Sequence, residues 1–367
     1  MKIPLIKPFI NGDIKKKVLE VLEGGFLTEG AVTKKFEDVF ANYVQAKNAI
    51  AVTSCTTGLE IALRALSIGP GDEVIVPDYT YPATATVVTI VGAHCVIVDV
   101  DATNMLINYD AIETAITPKT KAIIPVSLFG NPLDYNRLNH IKEKYNLFII
   151  EDAACSLGAE YKGKKVGSFA DISVFSLHPR KFITTGEGGM ITTENNDWAD
   201  WLNSYKHFGM AMKNASREGT QFDMVGTNYK LSNVLSAIGL GQMEHIDDLL
   251  TRRKLLAGRY NDLLAEFVKI SFPKIVHEGM HSFQSYCILT PMRDKIMNTL
   301  RPQGIEVQIG TYALHLHPAF QDKRYFTLAG DMKGSTTSLN NCLTLPLFHD
   351  LSEMEQDYVV KKVTELC

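Results

Sequence analysis

No stretch of this 367-residue chain approaches the ~20 consecutive apolar residues of a membrane-spanning helix. The opening segment MKIPLIKPFINGD also lacks the apolar run of a secretory leader. A cytoplasmic protein with no membrane partner is expected. Positive charge is not in excess: 37 Lys and Arg stand against 41 Asp and Glu, for a net charge of −4. Their scattered placement excludes a basic nucleic-acid footprint but leaves room for a local anion pocket. The six cysteines, Cys55, Cys95, Cys155, Cys287, Cys342 and Cys367, lie far apart with no C-x-x-C pair. No zinc site can be assembled from that spacing, and reduced, buried thiols are expected.

Nucleotide motifs are missing too. No G-x-G-x-x-G follows the early strand candidates, which weakens a dinucleotide reading. Gly158–Lys164 fits G-x-x-x-x-G-K, yet Lys165 stands where a phosphate loop needs Ser or Thr. The segment reads as a lysine-rich hairpin.

With 46% apolar and 21% charged residues, the chain has ample material for a core. Its length suggests a large domain and a smaller one, placed at residues 1–250, with an N-terminal arm, and 251–367. A first helix follows Asp13, with Ile14, Val18 and Val21 at helical spacing, and ends at Gly24-Gly25. Short β-rich runs then alternate with amphipathic segments. The strand candidates are Ala49–Val52, Glu73–Val76, Cys95–Val98, Ala122–Val126 and Leu147–Ile150. The helix candidates between them are Thr57–Leu66, Pro82–Val91, Asp110–Ile116 and Tyr135–Tyr145. Such alternation argues for βαβ units and a largely parallel sheet, an α/β fold. Two more β-like runs follow, Ile172–Ser176 and Gly189–Thr193, and then helices at Asn196–His207, Asn233–Leu250 and Thr251–Glu266. The remainder mixes short strands and helices, and Ser352 with Glu355 forms a capping box opening the last helix.

Four features suit a phosphorylated pyridine aldehyde. Ser54-Cys55-Thr56-Thr57-Gly58 joins a strand to a helix, and hydroxyls with free N–H groups at a helix N-terminus bind anions. Ordinary capping explains the same residues when taken alone. Asp78-Tyr79-Thr80-Tyr81 puts aromatics at a strand's carboxyl edge, where one can stack on a planar ring or simply fill a core. The apolar strand Leu147–Ile150 runs into Glu151-Asp152 at the sheet edge where open α/β sheets bind ligands. An Asp there can keep a pyridine nitrogen protonated. Finally, Lys181 sits in Ser176-Leu177-His178-Pro179-Arg180-Lys181, followed by the glycines of Gly186-Glu187-Gly188-Gly189. A lysine amine must be partly deprotonated to form an imine, and a pocket shared with Arg180 or a pyridinium is expected to lower its pKa.

In these residues the sequence resembles the DegT-type family of sugar aminotransferases, which use pyridoxal phosphate and have the fold-type I architecture. The likeness runs from Leu27-Thr28-Glu29-Gly30 to Leu345-Pro346-Leu347. It is most specific at Glu151–Ala154, at Ser176–Gly189 and at the GTNYKLSN stretch Gly226–Asn233. The resemblance implies a large domain with a mostly parallel mixed sheet sandwiched by helices, and a smaller C-terminal α/β domain. It also implies that Lys181 carries the cofactor as a Schiff base and moves protons, that Asp152 pairs with the ring nitrogen, and that Tyr81 stacks on the ring. Thr56, Thr57 and Ser176 would hold the phosphate, joined by Asn228 from a second subunit, which makes the enzyme a homodimer with shared active sites. Thr28, His315 and His317 match the substrate side, although packing explains the histidines equally well. Cys155 stands near the cofactor's 3-hydroxyl where relatives often have Gln or His. Cys55 replaces a common Gly, and Lys230 a common Arg.

The activity so implied is transfer of an amino group from L-glutamate to a keto sugar, with the pyridoxamine phosphate form between the two halves. A nucleotide-linked 4-keto-6-deoxyhexose, through GDP, dTDP or UDP, is the default substrate. A 3-keto sugar or a free keto acid sugar such as an 8-oxo-3-deoxyoctulosonate stays open, and the product would serve lipopolysaccharide or a related glycoconjugate. Two other readings stand beside it. A pyridoxal phosphate-dependent sugar dehydratase would carry His at the Schiff-base position, so Lys181 favours transamination. A catalytically silent regulator is opposed by the intact Asp152 and Lys181.

Overall fold

The computed structural model describes residues 2–211 and 219–367. Eight strands build the main sheet: β1 (Asn48–Val52), β2 (Glu73–Pro77), β3 (His94–Val98), β4 (Thr120–Ile123), β5 (Phe148–Asp152), β6 (Ile172–Ser176), β7 (Gly189–Thr193) and β8 (Phe326–Ala329). Their order is β1-β7-β6-β5-β4-β2-β3-β8, and β7 is antiparallel to both its neighbours while the remaining pairs are parallel. Parallel neighbours need crossovers: helix Ala83–Ile90 carries the chain from β2 to β3 and Tyr135–Tyr145 from β4 to β5, while Cys55–Ala65 leads from β1 to β2. Alternation along each strand feeds two apolar layers. Ile75, Ala51 and Ile149 join one, Val74, Ile50 and Ile150 the other, so both faces of the sheet are buried.

A third apolar cluster gathers Ile3, Tyr260, Tyr286, Ile296, Leu343 and Val359 around a three-stranded antiparallel sheet of Tyr286–Leu289, Cys342–Leu345 and Gln308–Ile309. The chain crosses between the clusters more than once. Ile3 pairs with Ile305 in the small sheet's cluster, whereas β8 lies at the edge of the main sheet. Residue 250 falls inside the continuous helix Ile246–Leu264, whose first turns pack with the main core and whose last turns pack with the third cluster.

Most of the expected elements form within a residue or two, and several differences have physical causes. The first helix starts at Gly12, ahead of Asp13, and is capped by Asn11, whose Oδ1 accepts from the Ile14 N–H at 2.9 Å. β4 stops at Ile123 because Pro125 has no N–H to give a ladder. The expected helix Asn233–Leu250 breaks between Met243 and Ile246, with Asn11 against the His245 ring at 3.1 Å. The Gly158–Lys164 segment is a hairpin, Glu160–Tyr161 against Lys164–Lys165, turning at Lys162 and Gly163 with positive φ. The capping box forms, with Ser352 N–H donating to Glu355 Oε2 at 2.8 Å. Among the described residues no helix is long and apolar enough to cross a membrane.

Candidate active site

The carboxyl ends of β1, β2, β5 and β6 open into one cavity of about 870 Å³, closed on its far side by Gln284, Gln308 and Tyr312. β5 decides which of two adjacent acids reaches it. Pleating sends Glu151 to the opposite face, where it is fully buried and accepts hydrogen bonds from Ser127, from Tyr135 at 2.7 Å and from Ser173 at 3.1 Å. Asp152 faces the cavity. Its Oδ2 accepts from Thr84 Oγ1 at 2.8 Å, and its Oδ1 accepts from the Ala154 N–H at 3.2 Å and lies 3.9 Å from Cys55 Sγ. Burial pushes the Asp152 carboxyl up from its ordinary pKa, opposed by Thr84, Ala154, Lys181 and Cys55.

Lys181 enters the same cavity from a tight loop between β6 and β7. The loop is pinned by Leu177 N–H to Gly188 O at 2.9 Å, Thr185 N–H to Leu177 O at 3.0 Å and Thr184 Oγ1 to Leu177 O at 2.7 Å. Gly188 and Gly189 are required by close approach. A Cβ on Gly188 would lie 2.4 Å from Thr185 Oγ1, and one on Gly189 would lie 2.6 Å from the Ser54 carbonyl. Lys181 Nζ donates to Cys155 Sγ at 3.1 Å. The expected lowering of this amine's pKa is not what the arrangement produces. Burial pulls it down, but Cys155, Cys55 and Asp152 outweigh burial and hold it above its ordinary value. Arg180 does not press on the amine as expected; its Nη1 donates to Gln308 Oε1 at 3.1 Å, and Gln284 Nε2 holds its carbonyl at 2.7 Å.

The third wall is the start of helix Cys55–Ala65. Ser54 caps it through the Thr57 N–H at 3.1 Å, and Thr57 Oγ1 turns back to the Ser54 N–H at 3.1 Å. Thr57 is therefore spent on the cap, while Ser54, Cys55, Thr56 and Ser176 line the cavity. The Cys55 and Thr56 N–H groups have no hydrogen-bond partner among the described residues, as expected for the first turn of a helix. Tyr81 stands at the rim, 65% exposed, its ring 6.3 Å from that of Tyr312.

Other sequence candidates lie apart from the cavity. His315 is held by Asp78, with Nδ1 2.6 Å from Oδ2 and its N–H 2.7 Å from Oδ1. His317 is exposed and meets the Tyr312 ring edge-on. Thr28 is exposed and gives its carbonyl to the Asn233 N–H at 3.3 Å. Asn228 is exposed, its Oδ1 accepting from Lys230 Nζ at 2.6 Å. Thr84, Gln284, Gln308 and Tyr312 were not legible as site residues: Gln284 and Gln308 lie far from any motif, and Thr84 and Tyr312, although close to Tyr81 and His315, reach the site only through the folding of the chain.

Residues 8–364 match the DegT/DnrJ/EryC1/StrS aminotransferase family. The chain belongs to this family. It is 36% identical to the GDP-perosamine synthase of Caulobacter vibrioides over 372 residues, covering 100% of this chain and 98% of that one. It is 31% identical to the spore coat polysaccharide biosynthesis protein SpsC of Bacillus subtilis over 377 residues, covering 99% of this chain and 97% of that one. Its fold matches the putative sugar aminotransferase Spr1654 of Streptococcus pneumoniae in its PMP form, with a TM-score of 0.92, 31% identity and coverage of 100% and 99%. Spr1654 has also been solved in a PLP form. This DegT-family aminotransferase thus has the mixed, mostly parallel sheet that the family resemblance implied, and all six of its cysteines are free thiols.

Proposed function

We propose that this aminotransferase moves an amino group from L-glutamate to the keto carbon of a nucleotide-linked sugar, a 4-keto-6-deoxyhexose in the first instance. The observation that carries it is the convergence of the Lys181 amine, the buried Asp152 carboxylate and an open helix N-terminus in one cavity. The enzyme uses pyridoxal phosphate, and the cavity fits it. Asp152 keeps lone pairs free beside Thr84 and Ala154, the first turn at Cys55 and Thr56 offers unpaired N–H groups to a phosphate, and Lys181 is within the same walls. When bound, that cofactor supplies an aldehyde for the amine and a ring that withdraws electrons.

The chain's own residues do the rest. Asp152 holds a proton on the ring nitrogen, and Ser54, Thr56 and Ser176 receive the phosphate, with Thr57 acting through the helix cap. Tyr81 and Tyr312 flank the mouth and limit water. Lys181 Nζ takes a proton from the donor's α-carbon in the first half of the cycle and delivers one to the former keto carbon of the sugar in the second. Arg180 has no carboxylate partner among the described residues, so its guanidinium is the cavity's available charge for the carboxylates of glutamate. A homodimer completes the site through Asn228, and the exposed Phe208, Phe222 and Val225 of the same segment support burial against a second copy. The likeness to GDP-perosamine synthase favours a nucleotide-linked sugar, and a cytoplasmic place suits such a substrate.

The test is to incubate the purified enzyme with L-glutamate and a panel of GDP-, dTDP- and UDP-linked keto sugars, following 2-oxoglutarate and the amino sugar. Failure to form 2-oxoglutarate with any acceptor would overturn the reading.

A further inference from the structure

The hydroxyl on Oδ2 of Asp152 is part of a chain. Thr84 lies in helix Ala83–Ile90, one turn beyond the strand pair Tyr79–Thr80, and neither Thr80 nor Thr84 is exposed at all. Their hydroxyl oxygens are 2.9 Å apart, and Thr84 Oγ1 is 2.8 Å from Asp152 Oδ2. A threonine hydroxyl has one proton. An ionised carboxylate has none to give, so Thr84 must donate to Asp152, and Thr80 must in turn donate to Thr84. The order is therefore directional: Thr80 to Thr84 to Asp152. No other side-chain hydroxyl reaches Oδ2 among the described residues.

We propose that Thr84, backed by Thr80, is a positioning residue for the cofactor's ring nitrogen: it fixes the rotation of the Asp152 carboxylate and keeps that group a hydrogen-bond acceptor. A carboxylate at the end of a strand can rotate about its last bond, and a neutral carboxyl would present a proton to a ring nitrogen that needs to keep its own. One O–H donor on Oδ2 and, on Oδ1, one N–H donor with the Cys55 thiol 3.9 Å away hold the plane and leave a lone pair on Oδ2. Burial works against the charged form, and Thr84 is the largest of the contacts that oppose it. The titratable groups facing Asp152 are Lys181 and Cys55, with Glu151 on the same strand. Thr80 also ties the arrangement to the rim, since its strand pairs with Tyr312–Ala313.

This inference rests on the pyridoxal phosphate reading of the site, and the experiment separates the two. Wild type, Thr84→Val and Thr84→Ser are purified without cofactor and titrated with pyridoxal phosphate, following visible absorbance, and the bound form is then titrated with pH. Removing a hydrogen bond to a charged group should weaken cofactor binding about tenfold or more in Thr84→Val. It should also move the pH dependence of the bound spectrum, while the cofactor-free protein keeps the circular dichroism spectrum of wild type. Thr84→Ser, which keeps the hydroxyl, should restore both. If Thr84→Val does not fold, Thr80→Val serves, with a smaller effect in the same direction. Wild type that takes up no cofactor would sink the underlying reading. Wild type that binds it, with a folded valine variant (Thr84→Val, or Thr80→Val in its place) of unchanged affinity and spectrum, would sink this proposal alone.

Discussion

Lys181 Nζ and Cys155 Sγ lie 3.1 Å apart, so the amine that must become a nucleophile is bound to a polarisable sulfur. Burial alone would favour the neutral amine, but Cys155 leads the contacts that reverse it. The raised pKa makes capture of an aldehyde slower at neutral pH than for an unperturbed amine, because only the deprotonated form attacks. Replacing Cys155 with Ala removes that acceptor. The midpoint for cofactor capture by the cofactor-free enzyme should then fall to lower pH, read from stopped-flow absorbance across a pH series. An unchanged midpoint would show that Asp152 and Cys55 set the amine's state without Cys155.

The amine itself has no substitute. Lys181→Ala should abolish turnover, with an unchanged circular dichroism spectrum, because the loop around it is held by backbone bonds from Leu177, Thr185 and Gly188 and not by the lysine side chain. Retained 2-oxoglutarate formation in that variant would contradict the proposed chemistry.

Asp152→Asn keeps the shape of the side chain and removes its charge. Electron withdrawal depends on a protonated ring nitrogen, so the rate should fall by at least ~10²-fold. Steady-state kinetics with glutamate would show it, and a near-normal rate would take Asp152 out of that role.

Arg180 gives one edge of its guanidinium to Gln308 and has a carbonyl fixed by Gln284. Arg180→Gln should raise KM for glutamate by about tenfold or more, the cost of losing a charged hydrogen-bond pair, and leave KM for the keto sugar nearly unchanged. A shift in the sugar's KM instead would assign the guanidinium to the other substrate.

What could be read from the sequence divides along a physical line. Elements with a local cause were legible: β6 and β7 from β-rich runs, Tyr135–Tyr145 from its periodicity, the Ser352–Glu355 cap from its spacing. Asp152 and Lys181 were legible because motifs surround them. The break near His245 was not, since no Gly or Pro marks it and the break follows how Met243, Ile246 and Leu249 pack into the main core. Thr84 was equally hidden: an ordinary helix threonine acquires a task only when β2 and β5 bring it to a carboxylate 68 residues away. His315 differs in the opposite sense: it lies in a suggestive motif, and the fold sets its Nδ1 against Asp78.

Lys206 is a fully buried ammonium, 3.0 Å from Glu29 Oε1, 3.2 Å from Glu37 Oε1 and 3.0 Å from the Ala51 carbonyl. Glu37 Oε1 also accepts from the Ala51 N–H at 2.9 Å, so helix Ala31–Val44 is tied to β1 through this one charge. Burial pushes the Glu37 carboxyl up, and Lys206 is the main group holding it down. Lys206→Met would leave Glu37 charged and unpaired, and breaking a buried pair from one side costs about 3–5 kcal/mol. Glu37 should respond by protonating. In wild type its folded pKa is already raised, which favours the folded state at low pH and costs stability as pH rises through it; removing Lys206 enlarges that cost. The variant's loss of stability should therefore grow from acid to neutral pH in denaturant melts. Glu37→Gln in the Lys206→Met background should recover part of it. A pH-independent loss, with no recovery from the second change, would show that Lys206 contributes packing alone and that Glu37 finds another way to keep its charge.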